Sequence, residues 1–425
     1  MRKWIGMMLA LALAACAPRP AAPDLNPLAE RYVRLALEIG AHEEGYIDAY
    51  YGPPEWKTEA ESSPRSTAEL KQLADGLLAE INGALEQARD AAVQRRARTL
   101  AAYVSSARFR LDMIDGARAP FVEEAERLFA LRPELRPLES YDPVLARIER
   151  VVPGSGPLAA RVQAFRDRYI VPEDRLRAVM DAAIAECRRR TAEHIRLPEN
   201  ERFTLEFVTG KSWSGYNYYQ GGNQSLIQVN TDLPVTIDRA VDLGCHEGYP
   251  GHHLQGISAE RLYRERGWVE FSVMPLYSPQ GPLNEGGGNY GVDLAFPGEE
   301  RLQFEKATLY PLAGLDPATA DARDALAEAM SDLAGARLTI VQMYLDGQID
   351  RERALELAQR YQLVSRERAE QSLDFADEYR SYVINYATGE DVVRAFVERA
   401  GADNAARWRA YESILTQPSL PEHLQ

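Results

Sequence analysis

Three of the six histidines in this chain, His246, His252 and His253, fall within eight residues around one glutamate, Glu247, and Pro250-Gly251 interrupts the run. No other stretch constrains the fold as tightly. Neutral imidazoles and carboxylates are the ligands zinc takes in catalytic sites. Two histidines spaced this way cannot share a metal from a regular helix. Residues seven apart share a helical face but stand about 10 Å apart along the axis, whereas each ligand of a zinc ion lies about 2.0 Å from it. Pro250 lacks an N–H and clashes with the carbonyl four residues back, and Gly251 admits backbone angles closed to other residues, so the pair is suited to break the helix between the ligands. A distortion that absorbs two extra residues brings His252 to the second ligand position, and one that absorbs three brings His253. His252 is the expected ligand and His253 the alternative. A surface cluster at a helix end is the competing reading. Glu247 argues against it, because a carboxylate beside the first ligand stands where a zinc-activated water needs a proton acceptor.

Catalytic zinc keeps three protein ligands and one open position. The expected third ligand is Glu285, some thirty residues downstream in Pro282-Leu283-Asn284-Glu285-Gly286-Gly287-Gly288-Asn289-Tyr290. That separation lets a second helix pack across the first and aim a carboxylate at the metal. The competing role for Glu285 is to cap a helix after a proline-rich turn. The three glycines point to close backbone approach and weaken the expectation of a helix.

His246-Glu247-Gly248-Tyr249-Pro250-Gly251-His252 followed by Glu285-Gly286 resembles the bacterial domain-of-unknown-function 885 family, many of whose members are lipoproteins, with its H-E-x-x-P-G-H and glutamate-glycine hallmarks. That family is similar to gluzincin-type zinc metallopeptidases, in which two histidines and a downstream glutamate hold the metal. The resemblance covers the C-terminal half best. It implies a mainly helical, gluzincin-like fold and a metallopeptidase site, and leaves the substrate open. Where the family pattern continues Gly-Trp-Ala-Leu-Tyr-Ala-Glu, this chain has Gly286-Gly287-Gly288-Asn289-Tyr290-Gly291-Val292, which departs from it in the pocket and in any supporting carboxylate.

At the N-terminus, basic Arg2-Lys3, an apolar Trp4 to Ala12 and Leu13-Ala14-Ala15-Cys16 read as a lipoprotein signal over residues 1–15 with Cys16 as the lipidated residue. Residues 16–26 then form a proline-rich tether. The apolar run is far short of the roughly 20 residues that span a bilayer, so the expected membrane attachment is the lipid alone, at the bacterial envelope, with Ala17 fitting an outer-membrane destination facing the periplasm. Cys187 and Cys245 remain, too few for a disulfide framework, and read as small buried thiols, with a bridge between them in an oxidising periplasm as the alternative. Loss of Arg2 and Lys3 with the leader would take the formal charge from −15 to about −17. Such a chain is a poor partner for nucleic acid.

Helical periodicity dominates. Asn26-Pro27 reads as a helix start and Ser66-Thr67-Ala68-Glu69 as a capping box. Helical pattern continues over 87–114, 120–131 and 157–195, so residues 27–200 read as an all-helical region. Residues 201–425 read as the catalytic region, with C-terminal helices over 317–345, 351–375, 378–386 and 391–399 broken at Gly347 and Gly389. Strand signal appears only at 203–208 and 225–230. The second strand, at Val229, is a candidate rail for an extended substrate, against a plain structural hairpin. Tyr382 and Tyr386 share a helical face, where one phenol could stabilise an oxyanion. Tyr249 and Tyr290 are rivals for that role, with Tyr290 also a candidate substrate contact, and Arg380 could bind a substrate carboxylate. Simple core packing and an ion pair compete with these roles.

The expectation is a mainly α protein: a multi-helix scaffold with a small β element beside a zinc-binding helix pair. It would be a membrane-anchored zinc peptidase with one Zn²⁺ per chain, acting on a peptide or small amide, with Glu247 as general base. The alternatives are a zinc amidase on a non-peptide or cell-wall amide and a non-catalytic metal-binding lipoprotein.

Overall fold

The computed structural model describes residues 23–425; the leader and Cys16 lie outside them. The chain is mainly α, with 68% helix and 7% strand. Local chemistry explains the helix starts. Asn26–His42 (α1) begins at Asn26, whose N–H is taken by Asp24 Oδ1, so the cap lies upstream of the expected Asn26. Thr67–Gln87 (α2) opens with the capping box formed in both directions, Glu69 N–H to Ser66 Oγ at 3.3 Å and Ser66 N–H to Glu69 Oε2 at 2.9 Å. Ala91–Ile114 (α3) is capped by Asp90.

Several expected helices are divided. The run over 157–195 stops at Arg166, and Pro172, which forces Val171 out of helical angles, restarts it as Glu173–Ala192 (α4). The run over 351–375 divides at Leu363, held at φ +52°.

Strands are more numerous than the sequence indicated. Ile47–Tyr50 (β1) lies inside the expected all-helical region. Arg202–Val208 (β2), Gly215–Gly221 (β3) and Gln224–Asn230 (β4) form a sheet in the order β2-β4-β3, with β2 parallel and β3 antiparallel to the central β4. The metal-motif region leads into His252–Arg266 (α5). Beyond it, Val273–Pro275 (β5) returns to pair antiparallel with β1.

Gly281–Ala295 (α6) is helical despite its glycines. It packs against Ile384–Glu398 (α7) so closely that a Cβ on Gly286 would stand 2.2 Å from the carbonyl carbon of Gly389. Gly389 is therefore a helix crossing and not the expected break. Asn404–Thr416 (α8) closes this side.

Packing does not stop at residue 200. One core joins Tyr32, Leu77 and Val104 of the first helices to Val273, Val341 and Ile384. A second joins Val179 and Ile184 of α4 to Val229, Leu254 and Leu294. The two remaining cysteines form a disulfide between Cys187 in α4 and Cys245, with Cα atoms 5.4 Å apart, the alternative to the expected buried thiols. Both are fully buried, and together they fasten α4 to the residue before His246.

Candidate metal centre

His246 and Glu247 sit in a single π turn, Gly244–Gly248, that follows the helix Ile237–Leu243. The chain then leaves helical angles at Tyr249 (φ −132°, ψ 126°) and returns at His252, the first residue of α5. The Gly251 N–H donates to the Cys245 carbonyl at 3.0 Å. A regular helix would close that bond four residues back; here it closes six back, so two extra residues loop out and the axis resumes. A Cβ on Gly251 would stand 1.9 Å from the His246 carbonyl oxygen, which leaves glycine as the residue that fits.

This loop-out brings His246 and His252 to a ring separation of 4.6 Å. Glu285, one turn into α6, meets both: its Oε2 lies 3.1 Å from His246 Nε2 and 3.6 Å from His252 Nε2. One ligand atom from each residue falls within 4.8 Å of the others. Tetrahedral zinc with bonds of about 2.0–2.2 Å spaces its ligand atoms by about 3.4 Å, so the donor set fits that ion in type, and the two distances from Glu285 fit it in spacing. The His246 ring can lie on α6 because residue 288 has no side chain; a Cβ there would be 2.7 Å from His246 Nδ1.

Each of the three residues is held from behind. His246 Nδ1 is 3.0 Å from Asn289 Oδ1, His252 Nδ1 is 2.8 Å from Gln255 Oε1, and the Tyr382 hydroxyl donates to Glu285 Oε1 at 2.5 Å. Supporting bonds of this kind fix the tautomer and aim of a metal ligand. Charge coupling is strong. Burial disfavours the charged form of His252, yet Glu285 outweighs it and pushes its pKa up to about 10. Burial likewise opposes the Glu285 carboxylate, but His252 and His246 hold it well below the usual range. Asn289→Ala or Gln255→Ala should lower zinc affinity by about 10–100-fold, read by competition with a chromogenic chelator; unchanged affinity in both would remove the supporting role.

Glu247 is 4% exposed and its Oε2 has no hydrogen-bond partner. Burial raises its pKa above the ordinary carboxylate value, aided by Glu285 and opposed by the two histidines. An unsatisfied buried carboxylate oxygen is costly in an ordinary core; beside this cluster it is an acceptor waiting for a donor. On its other side stands β3: the Asn217 side-chain amide donates to the Glu247 carbonyl at 2.6 Å, and Gly215 abuts Glu247 Oε1. The cleft over the cluster encloses 1190 Å³ and is lined by Ser214 to Tyr219 of β3 and its approach.

The other expected site residues separate. His253 is fully buried and faces away, bonded to Ser225 Oγ at 2.7 Å and Glu201 Oε2 at 3.3 Å. Val229 is on the central strand, fully buried and flanked by Phe207 and Gly215, so it has no edge to offer a substrate; β3 is the strand whose outer edge meets the cleft. Arg380 does not line the cleft. It begins a short 3₁₀ turn, Arg380–Val383, in the left-handed region at φ +52°, and donates to buried Glu124 at 2.9 Å. That turn also corrects the helix expected over 378–386, so Tyr382 and Tyr386 do not share a continuous helical face. Tyr382 is committed to Glu285. Tyr386 lines the cleft with its ring 6.4 Å from His246. Tyr290 is 2% exposed under Arg394, and Tyr249 is buried and bonded to Glu201; neither reaches the cleft.

Asn289 and Gln255 were missed by sequence reasoning, although four residues after Glu285 and three after His252 are the helical spacings at which they should have been sought. Asp48 on β1 carried no signal. It lines the cleft, accepts from the Tyr216 hydroxyl, and burial raises its pKa to about 7.

Protein-family models give no match to the chain, and neither do curated proteins. Among solved structures, one similar to it is the crystal structure of a provisionally assigned lipoprotein of Colwellia psychrerythraea. It is 14% identical, with a TM-score of 0.51, over 84% of this chain and 68% of that one. That likeness is one of fold.

Proposed function

We propose that this chain is a zinc-dependent hydrolase that cleaves peptide bonds. The observation that carries the reading is the convergence of His246, His252 and Glu285 beside Glu247 Oε2, a buried acceptor without a donor. These are also the residues on which the sequence resembles the domain-of-unknown-function 885 family and, through it, the gluzincins. Zinc held there supplies Lewis acidity, which polarises a carbonyl and lowers the pKa of water. Glu247 Oε2 takes the proton of the attacking water and delivers it to the leaving amine nitrogen. Tyr386, on the cleft wall, donates to the carbonyl oxygen as charge develops, while Tyr382 holds Glu285 in place. The edge of β3, aligned with Glu247, pairs with the backbone of an extended substrate.

The proposed location is the bacterial envelope, with the chain tethered through lipid on Cys16 at the outer membrane and facing the periplasm. The name given to the Colwellia protein supports the lipoprotein part of that reading, and no helix among the described residues is long and apolar enough to cross a membrane. Hydrolysis of a mixed peptide library, abolished by chelator and restored by zinc, is the expected result. A metal-loaded protein that cleaves nothing would favour the non-catalytic alternative, and products from non-peptide amides alone would make it an amidase.

A further inference from the structure

Arg337 differs from the two acid-paired arginines Arg301 and Arg394 of the same cleft, and unlike Arg166 and Arg368, which also line it, has a buried guanidine nitrogen with no partner. Arg301 and Arg394, which also line the cleft, are tied to acids: Arg301 to Asp242 at 2.8 Å and Glu305 at 2.9 Å, Arg394 to Asp293 at 2.7 Å and Glu390 at 2.6 Å. Arg337, on the helix Ala334–Leu345, lines the same cleft, and among the described residues no carboxylate pairs with it. Its Nε is buried without a hydrogen-bond partner, and its guanidinium lies 5.4 Å from the centre of the Phe375 ring. Burial lowers its pKa, opposed by the Tyr386 phenol and by no carboxylate. The Phe375 ring is 6.2 Å from that of Tyr386, which is 6.4 Å from that of His246. The guanidinium thus shares the Phe375 ring as a neighbour with Tyr386, the phenol whose ring approaches His246.

A buried polar group left unpaired costs free energy, and a guanidinium presents a planar fork that matches a carboxylate in two parallel bonds. We infer that Arg337 binds a carboxylate of the substrate, so that this cleft selects peptides carrying an anion on the Tyr386 side of the bond to be cut. The inference rests on the hydrolase reading for the word substrate, but its test does not need turnover. The carboxylate has two sources, the C-terminal α-carboxylate or an Asp or Glu side chain.

Binding is measured by calorimetry on zinc-loaded chain carrying Glu247→Gln, which blocks hydrolysis, with three N-acetylated tripeptides: an all-neutral peptide acid, its C-terminal amide, and the amide with one Glu. One of the two anionic peptides should bind about 10-fold or more tighter than the neutral amide, and which one does so names the source. Adding Arg337→Gln should erase that preference while leaving the neutral amide within about 3-fold. Arg337→Lys, which keeps the charge and loses the fork, should retain part of the preference and serves if the glutamine variant does not fold. Equal binding of all three peptides to the Arg337 protein overturns the inference, as does a preference that survives Arg337→Gln. The parent separates this from the broader reading. Acid-selective binding without cleavage of any peptide would leave Arg337 assigned and remove the hydrolase. Cleavage of acid and amide at equal kcat/KM, with equal binding, would keep the hydrolase and remove Arg337.

Discussion

Glu247→Gln should bind zinc with the stoichiometry of the parent and turn substrate over about 10²–10⁴-fold more slowly, the range that a positioned general acid–base contributes. The substitution isolates proton transfer. Glutamine has nearly the same shape, so the contacts that seat residue 247, the Asn217 bond to its carbonyl and the approach of Gly215, are kept. What changes is the chemistry at Oε2, which has no protein partner to lose. Removing a buried carboxylate whose pKa burial already raises should also leave stability unchanged or slightly increased, so lost activity could not be blamed on unfolding. Steady-state hydrolysis beside zinc content and thermal unfolding decides it. Undiminished turnover would end the role of Glu247 as general base.

Metal content is the second large effect. Elemental mass spectrometry on the chain from residue 17 onward should find about one zinc in the parent and in His253→Ala. It should find little or none in His246→Ala, His252→Ala and Glu285→Ala, because each would remove one of the three proposed ligands, a larger loss than the roughly 10–100-fold of a supporting residue. His253→Ala is the informative control. It lies next to His252 in sequence, but its ring nitrogens are engaged with Ser225 and Glu201, so the variant should lose about 1–3 kcal/mol of stability from unsatisfied buried groups and keep the metal. Zinc lost from His253→Ala and retained in His252→Ala would reverse the choice between them. No stoichiometric zinc in the repleted parent would turn the site into a His–Glu ion-pair cluster.

Much of this site was readable before folding was considered. Pro250-Gly251 between His246 and His252 calls for an interruption that absorbs two or three residues, and the Gly251 bond to the Cys245 carbonyl absorbs two. The third residue of the cluster, Glu285, was reachable from chemistry and separation. The glycines after it pointed both ways: they do mark close approach, at Gly286 and Gly288, but they do not prevent the helix, because tight packing against α7 and His246 outweighs their propensity cost. The strand beside the cleft was misassigned. Val229 has the stronger β-branched pattern because it is central and buried, whereas the edge strand β3, rich in tyrosine and glycine, shows little alternation.

What the sequence determined by itself is chemistry that acts over a few residues: the Ser66-Glu69 cap, the break ahead of His252, and the residue types that gather around it. What only the tertiary structure decided is choice among chemically equal candidates. Arg380 was the arginine the sequence singled out and Arg337 carried no signal, yet Arg380 is consumed by Glu124, 256 positions away, and Arg337 is left at the cleft. Tyr382 and Tyr386 are alike, yet Tyr382 is taken by Glu285, 97 positions away, and Tyr386 faces the cavity. Whether Cys187 and Cys245 are thiols or a bridge stayed open until α4 brought them together. The physical reason is range. Caps, prolines and glycines act on backbone bonds within one or two turns, whereas hydrogen bonds and ion pairs need partners within about 3 Å, and which distant residues come that close is set only when the helices pack.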